Sequence, residues 1–215
     1  MIITQIKPRE KILESLSDNK LIFIIGCGSC ADQCKSGGER QVLEMKEWLE
    51  DKGKKVTGYV VPDETCHIPL VKRDLRKYIK EVEKCDAILV MACGAGTSGV
   101  REAISEKRVY PANDTISLGN TIRQGNFVGR CSLCGECILD GTGGYCPVTI
   151  CPKSIVNGPC GGMDKGKCEV NQKEDCAWAL IYNTLSLYKD TESMKKLKKA
   201  KDYSKSKKGA KIEVL

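Results

Sequence analysis

The chain has 215 residues, 29% of them charged and only 5% aromatic, with a formal net charge of +7. That length allows one large domain or two small ones, and no apolar run approaches the roughly 20 residues of a membrane-spanning helix. The excess charge does not indicate a nucleic-acid binder. It is concentrated in MKKLKKAKDYSKSKKGAKIEVL, where nine lysines face only Asp202 and Glu213. This stretch has no arginine and a single aromatic, Tyr203, not the interleaved stacking aromatics of a nucleic-acid binder. It reads either as a solvated tail or as an electrostatic handle for an acidic partner.

In chain order, Lys7–Ser17 reads as a short amphipathic helix with Ile12, Leu13 and Leu16 on one side. Leu21–Gly26 is a continuous apolar run, the pattern of a strand buried on both faces. Gly38–Lys52 is helical, and Gly53 stands where a C-terminal glycine cap is expected. Lys55–Val61 forms a second strand and Leu70–Lys84 a further helix. Ala87–Ala92 is a third strand, followed by the glycine-rich ACGAGTSG and a helix over Ser98–Glu106. Strands alternating with helices imply right-handed βαβ units and a small, open parallel sheet. Tyr110–Arg130 reads as an irregular connector, and Trp178–Tyr188 as a closing helix.

That topology sorts the cysteines. Cys27 follows the first strand, Cys66 comes soon after the second, and Cys93 follows the third, so all three belong to the carboxyl edge of the sheet, where such folds bind ligands. Cys30 and Cys34 share the loop that leaves the first strand. A 4Fe–4S cluster on Cys27, Cys30, Cys34 and Cys93, with Cys66 as the competing fourth ligand, is the expectation for this edge. ACGAGTSG could instead cradle a phosphate, but no P-loop lysine follows it. Cys85 precedes its strand and is expected to be a small buried hydrophobe at the opposite edge. His67 is the only histidine. It adjoins Cys66, yet no nucleophile and carboxylate can be assembled around it.

Eight of the 14 cysteines lie between Cys131 and Cys176: Cys131, Cys134, Cys137, Cys146, Cys151, Cys160, Cys168 and Cys176. Glycine and proline fill much of the space between them, and so few apolar residues cannot form an ordinary core. Disulfides need an oxidising compartment, whereas MIITQIKPREKILES has no apolar leader core. A reducing cytoplasm is therefore expected. Structural zinc and iron–sulfur clusters both suit CxxCxxC with later cysteines. The pairs Cys146-Pro147 and Cys151-Pro152 resemble ferredoxin-type loops, and glycine lets backbone N–H groups approach cluster sulfides.

The run GECILDGTGGYCPVTICPKSIVNGPCGG, with GKCEV and DCAWALIY after it, resembles the cysteine-rich C-terminal domain associated with methylenetetrahydrofolate reductases. With GCGSCADQCKSGGERQV included, the chain resembles, from about Leu21 to Tyr182, the small iron–sulfur subunit of heteromeric reductases from acetogenic and related anaerobic bacteria. The resemblance implies a non-catalytic electron-transfer subunit of one-carbon metabolism and acetogenesis. Such a subunit passes electrons from ferredoxin or another low-potential donor complex to the flavin of a catalytic partner, the methylenetetrahydrofolate reductase subunit. Two 4Fe–4S clusters are expected, with zinc open as an occupant of the cysteine-rich domain. The alternative is a zinc-binding scaffold without redox role. A corrinoid-linked methyl carrier would need a DxHxxG-type loop, and CHIPL around His67 does not supply it.

The expected fold class is α/β. A small open parallel sheet of flavodoxin- or Rossmann-like type precedes a loop-rich metal-cluster domain with a C-terminal helix. The expected divisions are residues 1–125, 126–190 and a basic tail, 191–215.

Overall fold

A computed structural model describes residues 1–207 and 209–212. Lys208 and Glu213, counted in the basic tail, lie outside the described residues. The chain divides into two compact units, Met1–Val128 and Gly129–Leu215.

The first unit begins with strand β1 (Ile2–Ile6) and helix α1 (Arg9–Ser15). Strand β2 (Leu21–Ile25), a short turn of helix α2 (Cys30–Gln33), helix α3 (Glu39–Asp51) and strand β3 (Lys55–Val60) follow. Next come α4 (Ile68–Leu75), a 3-10 turn at Arg76–Tyr78, α5 (Ile79–Lys84), β4 (Ala87–Val90), α6 (Gly94–Ala103) and β5 (Arg108–Pro111). The order β3-β2-β4-β5 is parallel throughout, so the fold is α/β with a four-stranded parallel sheet. The direction of winding reverses between β2 and β4, which opens a crevice at their carboxyl ends.

Both faces of this sheet are buried because side chains alternate along each strand. Phe23, Ile25, Ile88 and Val90 pack with Val71, Leu75, Val82 and Val100 of α4, α5 and α6. Ile22, Ile24, Ala87 and Leu89 pack with Ile12 of α1 and with Val42, Met45 and Leu49 of α3. Continuous apolar runs such as LIFII are the sequence signature of such double burial.

Three expectations need correction. The helix over Leu70–Lys84 starts earlier, at Ile68, and the 3-10 turn interrupts it, although Val71, Leu75, Tyr78 and Val82 still face one core. Helix α6 starts at Gly94, not Ser98. Its glycines serve close packing, since a Cβ on Gly96 would lie 2.8 Å from the Cβ of Ala92. The third correction is larger. Tyr110–Arg130 is not an irregular connector but holds the end of β5, then β6 (Asn113–Arg123) and β7 (Asn126–Cys131). These form an antiparallel sheet in the order β1-β6-β7, with Ile2 opposite Leu118 and Ile6 opposite Asn113. Neither β1 nor β6 is continuously apolar, and their pairing joins residues far apart in the chain, which no local pattern reveals.

The second unit has little regular structure. It holds a 3-10 turn at Leu139–Thr142, helix α7 (Pro147–Ile150), helix α8 (Ala177–Leu187) and 3-10 turns at Thr191–Lys195 and Tyr203–Lys205. Its buried cluster is Cys176, Trp178, Ile181 and Leu185, with Tyr145, Ala179 and Met194 packed against it. No helix among the described residues is long and apolar enough to cross a membrane.

Candidate metal centres

In the first unit the strand ends place the thiols. Cys27 follows β2 and Cys93 caps the N-terminus of α6, and the two are 7% and 9% exposed. Cys66, more open, lies in the loop between β3 and α4. Burial pushes the Cys66 thiol up, and the neighbouring Cys93 and Cys27 push it further. Cys27 and Cys93 stand at the carboxyl ends of β2 and β4, where the winding of the sheet reverses, and the Cys27 thiol donates at 3.9 Å to the Asp63 carbonyl in the loop that carries Cys66. The loop that carries Cys66 is held by Thr65, whose buried hydroxyl donates to the Gly26 carbonyl at 2.5 Å. Gly94, next to Cys93, donates its N–H to Thr115 Oγ1 at 2.8 Å.

Cys30 and Cys34 flank α2 and meet the backbone of β1. The Ile2 N–H donates to Cys30 Sγ at 3.5 Å, and the Cys34 thiol donates to the Ile2 carbonyl at 3.8 Å. The involvement of β1 at this edge was not legible in the sequence. His67 serves the fold as the N-cap of α4, where its Nδ1 accepts the Leu70 N–H at 3.3 Å. Cys85 is 2% exposed among apolar side chains, and its thiol donates to the Val82 carbonyl at 3.1 Å. Burial pushes that thiol up, while the charge of Lys107 opposes the shift.

In the second unit Cys151, Cys160, Cys168 and Cys176 line one small hollow, walled also by Ile155, Met163, Val170 and Trp178. Backbone hydrogen bonds hold two of these positions: Cys168 N–H donates to Glu174 O at 3.0 Å and Cys176 N–H to Gly166 O at 2.7 Å. Trp178 Nε1 donates to Ile155 O at 2.9 Å, closing one wall. Cys176 is also the N-cap of α8, so the positive end of that helix dipole lies beside the hollow. A Lys153–Glu169 ion pair joins two further residues of the lining.

The remaining cysteines of this unit lie apart from that hollow. Cys146 caps α7 and accepts the Thr149 hydroxyl at 3.5 Å. Cys131 ends β7, and Cys134 and Cys137 occupy the loop that follows it. There the Leu133 N–H donates to Cys131 Sγ at 3.4 Å. Burial works to raise the Cys134 thiol. A backbone hydrogen bond at Glu136, together with the hydrogen bond and charge of Lys201, outweighs burial and holds it below the ordinary thiol range.

Among the described residues, no three cysteine, histidine or acidic side chains converge as the ligands of one ion would. Thiolates bind a single zinc ion at about 2.3 Å and so must crowd together. A 4Fe–4S cluster spreads its four thiolates around a cube and accepts wider spacing. Cys151, Cys160, Cys168 and Cys176 line the same hollow beside a helix N-terminus, and these are the residues of this unit that could hold such a group.

Comparison with known proteins bears on the same region. Residues 110–204 match the family model described as methylene-tetrahydrofolate reductase C terminal. No curated protein and no solved structure matches the chain.

Proposed function

We propose that this chain, whose residues 110–204 carry a methylenetetrahydrofolate reductase C-terminal domain, is the iron–sulfur electron-transfer subunit of such a reductase. It takes electrons from ferredoxin or another low-potential donor and passes them to the flavin of a catalytic partner. The observation that carries this reading is that Cys151, Cys160, Cys168 and Cys176 all line one hollow, inside the segment that matches the family model.

A 4Fe–4S cluster, when bound, supplies a one-electron carrier of low potential. The chain's own residues do the rest. Cys151, Cys160, Cys168 and Cys176 would hold one such group, with buried Trp178 and half-buried Ile155 beside it and the exposed Cys160, Met163 and Val170 on its open side. Low polarity around thiolates and hydrogen bonds to them set the potential. In the first unit Cys27, Cys66 and Cys93, with Cys30 and Cys34 on the same loop system, are the thiols available to a second group. On this reading the reduction of the folate substrate is the work of the partner.

Anaerobic purification followed by iron, sulfide and zinc analysis tests this reading. The expected protein is brown and contains iron and sulfide in near-equal amounts. Cys160→Ser should remove about one cluster's worth of iron, whereas Cys85→Ala should leave iron content unchanged. A colourless protein that holds only zinc overturns the electron-transfer role and leaves a scaffold.

A further inference from the structure

The lysine-rich C-terminal segment is laid along the loop of Cys131, Cys134 and Cys137. Lys205 forms an ion pair with the Glu136 carboxylate, and Lys201 donates to the Glu136 carbonyl. Ser206 donates its hydroxyl to the Leu133 carbonyl at 3.0 Å. Further back, Asn157 clamps Lys198 twice, donating to its carbonyl at 2.7 Å and accepting its N–H at 2.8 Å. Contact is so close at Gly135 that a Cβ there would meet the Lys205 carbonyl at 2.3 Å. The basic segment is thus a strap on the second unit, held by residues of the thiol loop itself.

Holding the strap uses only some of its lysines. Lys196, Lys199 and Lys207 are exposed and form no ion pair among the described residues. Apolar side chains stand exposed among them: Leu197 is 87% exposed, Leu133 61% and Tyr203 57%. Leu133 sits between two of the thiols. Exposed apolar groups interspersed along the same segment with cations in no ion pair have the composition of a protein interface with a charged rim. A phosphate or other small anion would leave Leu133, Leu197 and Tyr203 without a role.

We infer that this strap is the docking face for an acidic electron-carrier protein, seated on Leu133, Leu197 and Tyr203 and oriented by Lys196, Lys199 and Lys207. The inference rests on the electron-transfer reading and names where the donor arrives. Rim charges act mainly on association rate and its salt dependence, because they steer the encounter before contact. Docking here brings the donor to the second unit, where the strap is tied to Asn157, so one electron would leave the donor's centre, oxidising it, for the cluster that Cys151, Cys160, Cys168 and Cys176 would hold. The chain must accept two such transfers in succession to supply a flavin's two-electron reduction.

The test uses the anaerobically purified full chain and an acidic ferredoxin as probe, with association followed at low and at high salt. The triple variant K196E/K199E/K207E leaves the Lys201, Lys205 and Asn157 clamps in place. It should associate on the order of tenfold more slowly at low salt and show a flatter salt dependence. K80E/K84E on α5 should match the parent. If the triple variant associates as fast as the parent, or the parent does not bind ferredoxin, the docking face is wrong. Lysine-dependent binding to vesicles of anionic phospholipid in place of ferredoxin overturns it in favour of a membrane surface. Failure of the underlying reading looks different. Reduced ferredoxin would then bind in the lysine-dependent manner yet leave the chain's visible absorption unchanged.

Discussion

At the scale of single residues, environment separates groups that the sequence writes alike. Cys85 and Cys134 are both cysteines beside a lysine, yet burial raises one thiol while local hydrogen bonds and Lys201 lower the other. Asp74 is a comparable case among the carboxylates. It accepts hydrogen bonds from Arg73 Nε at 2.9 Å and Arg73 Nη2 at 3.2 Å. The Arg73 hydrogen bond is the largest influence; burial opposes it, Lys77 assists, and the carboxyl sits below its ordinary value. A carboxyl depressed in the folded state stabilises the fold above its unfolded value of about 3.9 and loses that contribution as pH falls through the folded value. Asp74→Asn should therefore cost about 1 kcal/mol or less near neutral pH, because Arg73 and Lys77 are largely solvated. It should also flatten the acid limb of a stability–pH curve from chemical denaturation. An acid limb as steep as the parent's would show that the pair contributes nothing.

Among elements, the loops at the strand ends are held more tightly than their glycine content suggests. Gly37 passes under β4, where a Cβ would fall 1.7 Å from the Met91 carbonyl oxygen, and its own carbonyl accepts the Cys27 N–H at 2.8 Å. Gly53, which ends α3, has φ of 77° and nothing within 4 Å of a built Cβ. Space excludes a side chain at the first position and backbone conformation disfavours one at the second. Gly37→Ala should thus cost about 3 kcal/mol through overpacking. Gly53→Ala should cost about 1 kcal/mol through its left-handed backbone alone. Urea midpoints of the two variants would check the order. Equal losses would mean that the Cys27–Gly37 loop yields more readily than its contacts imply.

For the whole molecule, the two units differ in what can hold them together. The first has two apolar layers on a parallel sheet, whereas the second buries little beyond Cys176, Trp178, Ile181 and Leu185. Metal binding that occurs only in the folded state is itself folding energy. Removal of metal by a chelator should therefore expose residues 129–215 to protease while residues 1–128 survive as a resistant fragment. Limited proteolysis with mass spectrometry would read this directly. A second unit that stays resistant after iron is lost would place its stability in packing instead.

The alternation of apolar strands with amphipathic helices was legible in LIFII, AILV and the stripe from Val42 to Leu49, because a strand buried on both faces has no freedom to be polar. The cysteine-rich segment stood out in the sequence because spacing such as CxxCxxC is local, but which of its thiols line one hollow was not legible there. Helix α6 was read as starting late, at Ser98, because its glycines resemble a loop until Ala92 is seen against Gly96. The antiparallel sheet was missed, since Ile2 meets Leu118 only in three dimensions. The carboxyl edge shared by Cys27, Cys66 and Cys93 was read from the alternation of strands and helices, whereas tertiary structure alone set Cys30 and Cys34 against Ile2 and placed Cys151, Cys160, Cys168 and Cys176 along one hollow. It also laid the lysine-rich segment on the thiol loop, through contacts such as Lys205 with Glu136. Residue type and spacing limit what a segment can do locally, but which thiols become neighbours depends on strand order and loop closure, which only the assembled chain defines.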